Sequence, residues 1–335
     1  MSSRKGSCWG RISGNERGWQ TLFTALMSKT ALLFAGQGAQ VVGMGKDFAE
    51  TSPSAGAWFD RANTALGYDL ARICFTGPDP ELTQTEHAQP GIFLVSWVAF
   101  TLLKERVPEL KFDATAGLSL GEFTALTAAG AMRFEDGLRL VRQRGRFMQE
   151  ACEATRGGMA AVIGLDENST RQLCAEAGVV LANLNCPGQL VISGEADKIA
   201  KACELAKAKG AKRAIPLPVA GAYHSPLMAS AQPKLQTELA KASISAPTVP
   251  VISNVTAQPH GVPAEIGLRL VEQVTSSVLW ETSMRYLLAQ GFSRFIELGP
   301  GTALSGFMKR IDRSAQMLNV ADAASLEATV KALGA

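Results

Sequence analysis

The sequence predicts an α/β fold in which a mainly parallel sheet carries helices on its faces and is interrupted by a smaller β-α-β-β-α-β unit. Three observations carry that prediction. Short apolar strands alternate with helical periodicities along most of the 335 residues. The character of the chain changes at Gly157-Gly158 and changes back after Pro218. Between those points the order of elements is that of the ferredoxin-like pattern.

Residues 1–26, rich in Gly, Ser and Arg and without periodicity, read as an extension outside the domain, with an organelle transit peptide as the alternative. Thr30 to Ala35 is an apolar strand running into the tight Gly-rich turn GQGAQ, Gly36 to Gln40. Helical patterns follow at Ser54 to Leu66 and at Gly91 to Lys104, the latter apolar all round and so expected in the interior. Thr115 and Ala116 lead into Gly117 to Glu122, then a small-residue helix at Phe123 to Ala129 and a longer helix capped by Asp136 and ending near Glu153.

The inserted unit reads as strand (Met159 to Leu165), helix (Ser169 to Ala177), strand (Val179 to Leu184), strand (Leu190 to Ser193), helix (Ala196 to Lys209) and strand (Lys212 to Leu217). Helices at Pro226 to Ala242, Pro263 to Thr275 and Thr282 to Gln290, with strands at Pro250 to Ser253 and Arg294 to Leu298, complete the larger unit. Residues 28–156 and 218–335 therefore form the large domain and 157–217 the small one.

Composition narrows the function classes. A hydrophobic share of 47% supports a large core, and a formal charge of +3 gives no field that marks a nucleic-acid or membrane surface. The six cysteines form no C-x-x-C pair, which fits a reducing cytoplasm and no zinc site. The longest apolar run, Gly91 to Leu103, is too short to span a bilayer.

The chemistry begins at Gly117, Ser119 and Gly121, a G-x-S-x-G pattern between a strand and a helix. A serine on such a turn projects its hydroxyl outward, and the N–H of Leu120 sits at a helix N-terminus where it can face a developing oxyanion. Taken alone, the pattern is equally a Gly-rich helix cap. A serine nucleophile needs a base, and the candidates are His87, His224 and His260. His224 lies on a loop between a strand and a helix, where a side chain can enter a cleft, although a lone histidine is more often structural.

Eight strings now add up: GQGAQ; LTQTEHAQP from Leu82; GLSLGEF from Gly117; RQRGRFMQ from Arg142; NCPGQLVISG from Asn185; GAYHSPLM from Gly221; PVISNV from Pro250; and ELGPG from Glu297. In this order they resemble the malonyl-CoA:acyl carrier protein transacylases and the related acyltransferase domains of fatty-acid and polyketide synthases. The resemblance implies an α/β-hydrolase-like large domain with a ferredoxin-like insert, malonyl-CoA and acyl carrier protein as substrates, and no cofactor. It implies Ser119 as nucleophile, His224 as base, the backbone carbonyl of Gln273 as its orienting partner, and the N–H groups of Gln37 and Leu120 as the oxyanion hole. Arg144 would hold the malonyl carboxylate, Gln84 would line the pocket nearby, and Tyr223 would disfavour α-branched extenders. Leu118 departs from the common pattern, which has histidine before the nucleophile. The rival reading of G-x-S-x-G is a serine hydrolase such as a thioesterase, which leaves GQGAQ, Arg144 and the insert unexplained.

Overall fold

The computed structural model describes residues 29–334, so the expected extension at residues 1–26 lies outside the described residues. Five strands, β1 (Lys29–Phe34), β2 (Ala114–Gly117), β7 (Val251–Ile252), β8 (Phe292–Leu298) and β9 (Gln316–Val320), form a sheet in the order β7-β2-β1-β8-β9. Every pairing in it is parallel. Parallel strands covered on both faces read as continuous apolar runs. Accordingly Ala31 to Phe34 are fully buried.

The other sheet is antiparallel. It joins β3 (Gly157–Ile163), β4 (Val180–Cys186), β5 (Gln189–Glu195) and β6 (Arg213–Pro216) in the order β4-β5-β3-β6. Its helices are α8 (Glu167–Ala177), capped by the Asp166 side chain, and α9 (Ala196–Ala208). Val162, Leu173, Ile192 and Ile199 share a core of their own. A short bridge ties this sheet to the rest of the chain, with Val278 N–H donating to Ala182 O at 2.8 Å and Leu184 N–H to Val278 O at 3.0 Å.

Around the parallel sheet, α1 (Lys46–Thr51), α2 (Pro53–Leu66), α3 (Leu70–Thr76) and α4 (Asp79–Thr83) precede the long central helix α5 (Thr85–Arg106). The short α6 (Gly121–Ala128) leaves β2, and α7 (Phe134–Glu153) packs along α5. At their crossing a Cβ on Gly145 would sit 2.5 Å from the Thr85 carbonyl oxygen, so only glycine allows the two backbones this close. That approach brings the inner faces of α5 and α7 together. The remaining helices are α10 (Ala231–Leu239), α11 (Pro263–Glu272), α12 (Trp280–Ala289), α13 (Ala303–Ile311) and α14 (Ala323–Leu333).

Several expectations are corrected. The helix expected from Pro226 to Ala242 is a 3₁₀ turn at Pro226–Met228 followed by α10. Pro233 explains the break: mid-helix it would lose a hydrogen bond and clash, whereas as the third residue of α10 its missing N–H is one of the naturally free ones. Asp136 does not cap α7; the helix begins at Phe134, and Asp136 lies with Glu135 in the first turn, where an acidic side chain complements the helix dipole. Helix α5 starts six residues before the expected Gly91 and continues through Pro90. Elements α1, α3, α4, α13, α14 and β9 have no counterpart in the sequence reading.

At the C-terminal end of β8 the buried Glu297 caps α13, accepting from Leu304 N–H at 2.9 Å, Ser305 N–H at 2.8 Å and Ser305 Oγ at 2.6 Å. Burial pushes its carboxyl up from the usual range, against the pull of those three bonds. Glu297→Ala strands buried donors and is expected to lose at least about 2 kcal/mol in urea denaturation. An unchanged unfolding midpoint would contradict the capping role.

Candidate active site

The turn from β2 into α6 leaves no room for side chains. A Cβ on Gly117 would fall 1.9 Å from the Gly121 carbonyl carbon, and one on Gly121 would fall 2.3 Å from the Phe34 oxygen. Between them Ser119 has a left-handed φ of 54°. A non-glycine residue there stores roughly 1–3 kcal/mol, so the surroundings must hold it. They do: Asn254, just beyond β7, accepts from Ser119 N–H at 2.6 Å and donates to Gly117 O at 2.8 Å. The Gln273 side chain donates Nε2–H to Ser119 O at 3.0 Å. Leu118 is partly buried beside Gly36.

Ser119 Oγ lies 2.9 Å from His224 Nε2. His224 is also in the left-handed region, with φ 56°. Its Nδ1 faces two carbonyl oxygens, Gln273 O at 2.9 Å and Ser276 O at 3.2 Å. Carbonyls only accept, so the ring proton sits on Nδ1, and Nε2 is left to accept from the serine hydroxyl. Burial, joined by the charge of Arg144, pushes the imidazole down to about 4, against the pull of the two carbonyls. His224 is therefore a neutral imidazole at neutral pH.

Arg144 is 1% exposed. It donates Nη1–H to Gln89 Oε1 at 2.8 Å and Nη2–H to Gln273 Oε1 at 2.9 Å and to Ser119 Oγ at 3.0 Å. Its Nε–H has no partner among the described residues. Burial pushes the guanidinium down to about 10, which still leaves it charged at neutral pH. The neighbouring arginines of α7 differ: Arg139 and Arg146 form surface pairs with Asp136 and Glu150, and Arg142 lies over the Tyr68 ring.

Tyr223 is buried with its hydroxyl 2.6 Å from Thr85 Oγ1, and Gln37 Nε2 donates to it at 3.4 Å. Among the described residues neither the Gln37 N–H nor the Leu120 N–H is hydrogen-bonded to the protein. Gln84 is placed differently from the expectation. It is exposed at the N-cap of α5, where its side chain makes no capping hydrogen bond among the described residues; the side chain of this segment that reaches Arg144 is Gln89, more than a turn further on. His87 Nδ1 lies 3.0 Å from the Glu81 carbonyl, and His260 meets Glu122.

Sequence reasoning missed Gln89, Asn254 and Glu122. Each left a trace: a glutamine within an apolar helix, an amide at the end of an apolar strand, and a lone carboxylate in a helix of small residues. Among the described residues no group of His, Cys, Asp and Glu is placed to hold a metal ion, and no helix is long and apolar enough to cross a membrane.

A serine hydroxyl on a strained turn, a neutral imidazole behind it and a guanidinium beside it define a serine-dependent acyl-transfer enzyme. The model of the acyl transferase domain matches residues 31–328. A malonyl CoA-acyl carrier protein transacylase of Bacillus subtilis (strain 168) is 46% identical over 312 residues, covering 92% of this chain and 98% of that protein. An acyl-carrier-protein-S-malonyltransferase from Bartonella henselae superposes with a TM-score of 0.88 at 39% identity, covering 92% of this chain and all of the other. A malonyl-transacylase solved in complex with its type II PKS acyl-carrier protein gives 0.88 at 36% identity over 91% of this chain. The chain belongs to the acyl transferase family, among its malonyl CoA-acyl carrier protein transacylases.

The folded His224 value lies below the ordinary imidazole value, so on acidification the unfolded chain takes up the proton first. Stability is lost as pH falls from about 6.5 through about 4. Histidine NMR is expected to show His224 neutral down to about pH 5, and Arg144→Gln to move its titration upward by removing a neighbouring positive charge. A His224 that titrates near 6.5 in the native chain would contradict this.

Proposed function

We propose that the chain moves a malonyl group from malonyl-CoA to the phosphopantetheine thiol of an acyl carrier protein through a malonyl ester on Ser119. The observation that carries this reading is the buried, charged Arg144 with Nη2 3.0 Å from Ser119 Oγ. A guanidinium so placed can hold a substrate carboxylate by parallel N–H···O bonds while the thioester carbonyl rests over the serine.

In the first half-reaction His224 Nε2 takes the Ser119 proton as Oγ attacks the thioester carbonyl. The N–H groups of Gln37 and Leu120 receive the negative oxygen. Collapse breaks the C–S bond, and His224 returns the proton to the leaving thiolate of coenzyme A. In the second half the carrier thiol gives its proton to His224 and attacks the ester, and Ser119 leaves with that proton, which makes the kinetics ping-pong. The carbonyl of Gln273 keeps the imidazole turned toward the serine throughout. A carbonyl in that place, instead of the carboxylate of the common serine hydrolases, speaks against the hydrolase reading.

Tyr223, fixed by Thr85, supplies the wall against an α-methyl branch. The large unit, 28–156 with 218–335, is α/β-hydrolase-like and the 157–217 insert ferredoxin-like; the parallel and antiparallel strand orders support this division. A cytoplasmic setting is part of the reading, supported by free thiols at Cys74, Cys152, Cys174, Cys186 and Cys203.

Ser119→Ala is expected to abolish malonyl-enzyme formation, and His224→Ala to slow it by roughly 10²–10⁴-fold. Full activity in Ser119→Ala would end the mechanism. For Arg144→Ala the ratio of malonyl to acetyl kcat/KM is expected to collapse, since losing one partner of a buried charge pair costs roughly 2–5 kcal/mol. An unchanged ratio would reduce Arg144 to a structural residue.

A further inference from the structure

Behind the serine, on the first turn of α6, Glu122 is fully buried. Its carboxylate accepts three hydrogen bonds: His260 Nε2–H to Oε1 at 2.7 Å, Gln273 Nε2–H to Oε2 at 2.6 Å and Asn254 N–H to Oε2 at 3.1 Å. None of the steps above uses it. Yet two of its partners are the residues that hold the nucleophile's turn, and one of these, Gln273, also touches both Arg144 and His224.

The chemistry of an amide explains why this matters. The two ends of a glutamine side chain are alike in shape and opposite in polarity, so its neighbours decide which way it points. An ionised carboxylate only accepts, which forces Gln273 Nε2 toward Glu122 and Oε1 toward Arg144. With the amide reversed, oxygen would meet carboxylate and N–H would meet guanidinium. We propose that Glu122 is a positioning residue for acyl transfer: by fixing the polarity of the Gln273 amide it holds the Arg144 guanidinium beside Ser119, with His260 clamping its other oxygen.

The charge acts in the same direction. Among the described residues Arg144 makes no direct ion pair, and the negative charge of Glu122 supports its protonated form from behind Gln273. Glu122 therefore serves recognition of a charged acyl group more than it serves acylation in general. The inference rests on the malonyl-transfer reading above.

Glu122→Gln and Glu122→Asp separate this role from packing. Glutamine keeps the shape but presents an N–H₂ to one set of donors, which frees the Gln273 amide to turn over. Aspartate is shorter but still only accepts. The ratio of malonyl to acetyl kcat/KM is expected to fall about 10–100-fold in Glu122→Gln and to recover in part in Glu122→Asp. A purely packing role predicts the reverse order, and equal losses on both substrates overturn the inference. If Glu122→Gln yields no folded protein by circular dichroism, the same ratio is read in His260→Ala, which keeps the carboxylate but removes a clamp. There a smaller fall is expected, and an unchanged ratio overturns the proposal. Malonylation of Ser119 is followed in the parent chain throughout: its absence sinks the acyl-transfer reading, whereas its presence with equal losses sinks only the role of Glu122.

Discussion

A guanidinium buried to 1% exposure is the constraint around which the interior is arranged. Taking such a charge out of water is costly unless acceptors surround it. Here the acceptors come from three elements: Gln89 on α5, Ser119 at the head of α6 and Gln273 at the end of α11. None is an anion in direct contact. Among the described residues no carboxylate touches the guanidinium, so under the proposed function the direct counter-charge would be the carboxylate of a malonyl group. In the proposed mechanism burial would make Arg144 selective, because a neutral acyl group offers it no charge in return.

The same cation acts on His224. Its field joins burial in keeping His224 neutral, so the imidazole is ready to accept a proton well below the ordinary range. A bound carboxylate would offset that field and make the imidazole more basic once the correct substrate is present. In the proposed mechanism substrate recognition and base strength would thereby be coupled through one side chain. The scaffold supplies the remaining precision: the Gly117 and Gly121 turn fixes the serine against β1, and the Gly145 crossing brings Gln89 and Arg144 face to face.

Much of this is legible in the sequence, for identifiable reasons. The strand-turn-helix around Ser119 and the alternation of the insert are local signals, and local signals survive without tertiary context. The break before α10 is also a local signal, set by Pro233 in its first turn, but the sequence reading ran one helix through it. Arg144 needed the family resemblance, although the apolar phase of α7 through Val141, Gly145 and Met148 marks its face as the buried one. Gln84 shows the limit: a polar residue in the right string is exposed at the N-cap, and the inward position falls to Gln89. The pairing of β1 with both β2 and β8 joins residues far apart in the chain. Nothing in one strand's pattern specifies such partners. The contacts of Asn254 and Glu122 depend on that same long-range assembly, which is why their roles were hidden.

The proposed mechanism requires an ester on Ser119 that outlives the departure of coenzyme A. Rapid-quench intact-protein mass spectrometry with malonyl-CoA, followed by peptide mapping, tests it most directly. One malonyl group per chain is expected, on the peptide bearing Ser119, persisting until a pantetheine thiol is added and then lost to that thiol. A label on another residue, or release as free malonate before any thiol is present, would contradict it.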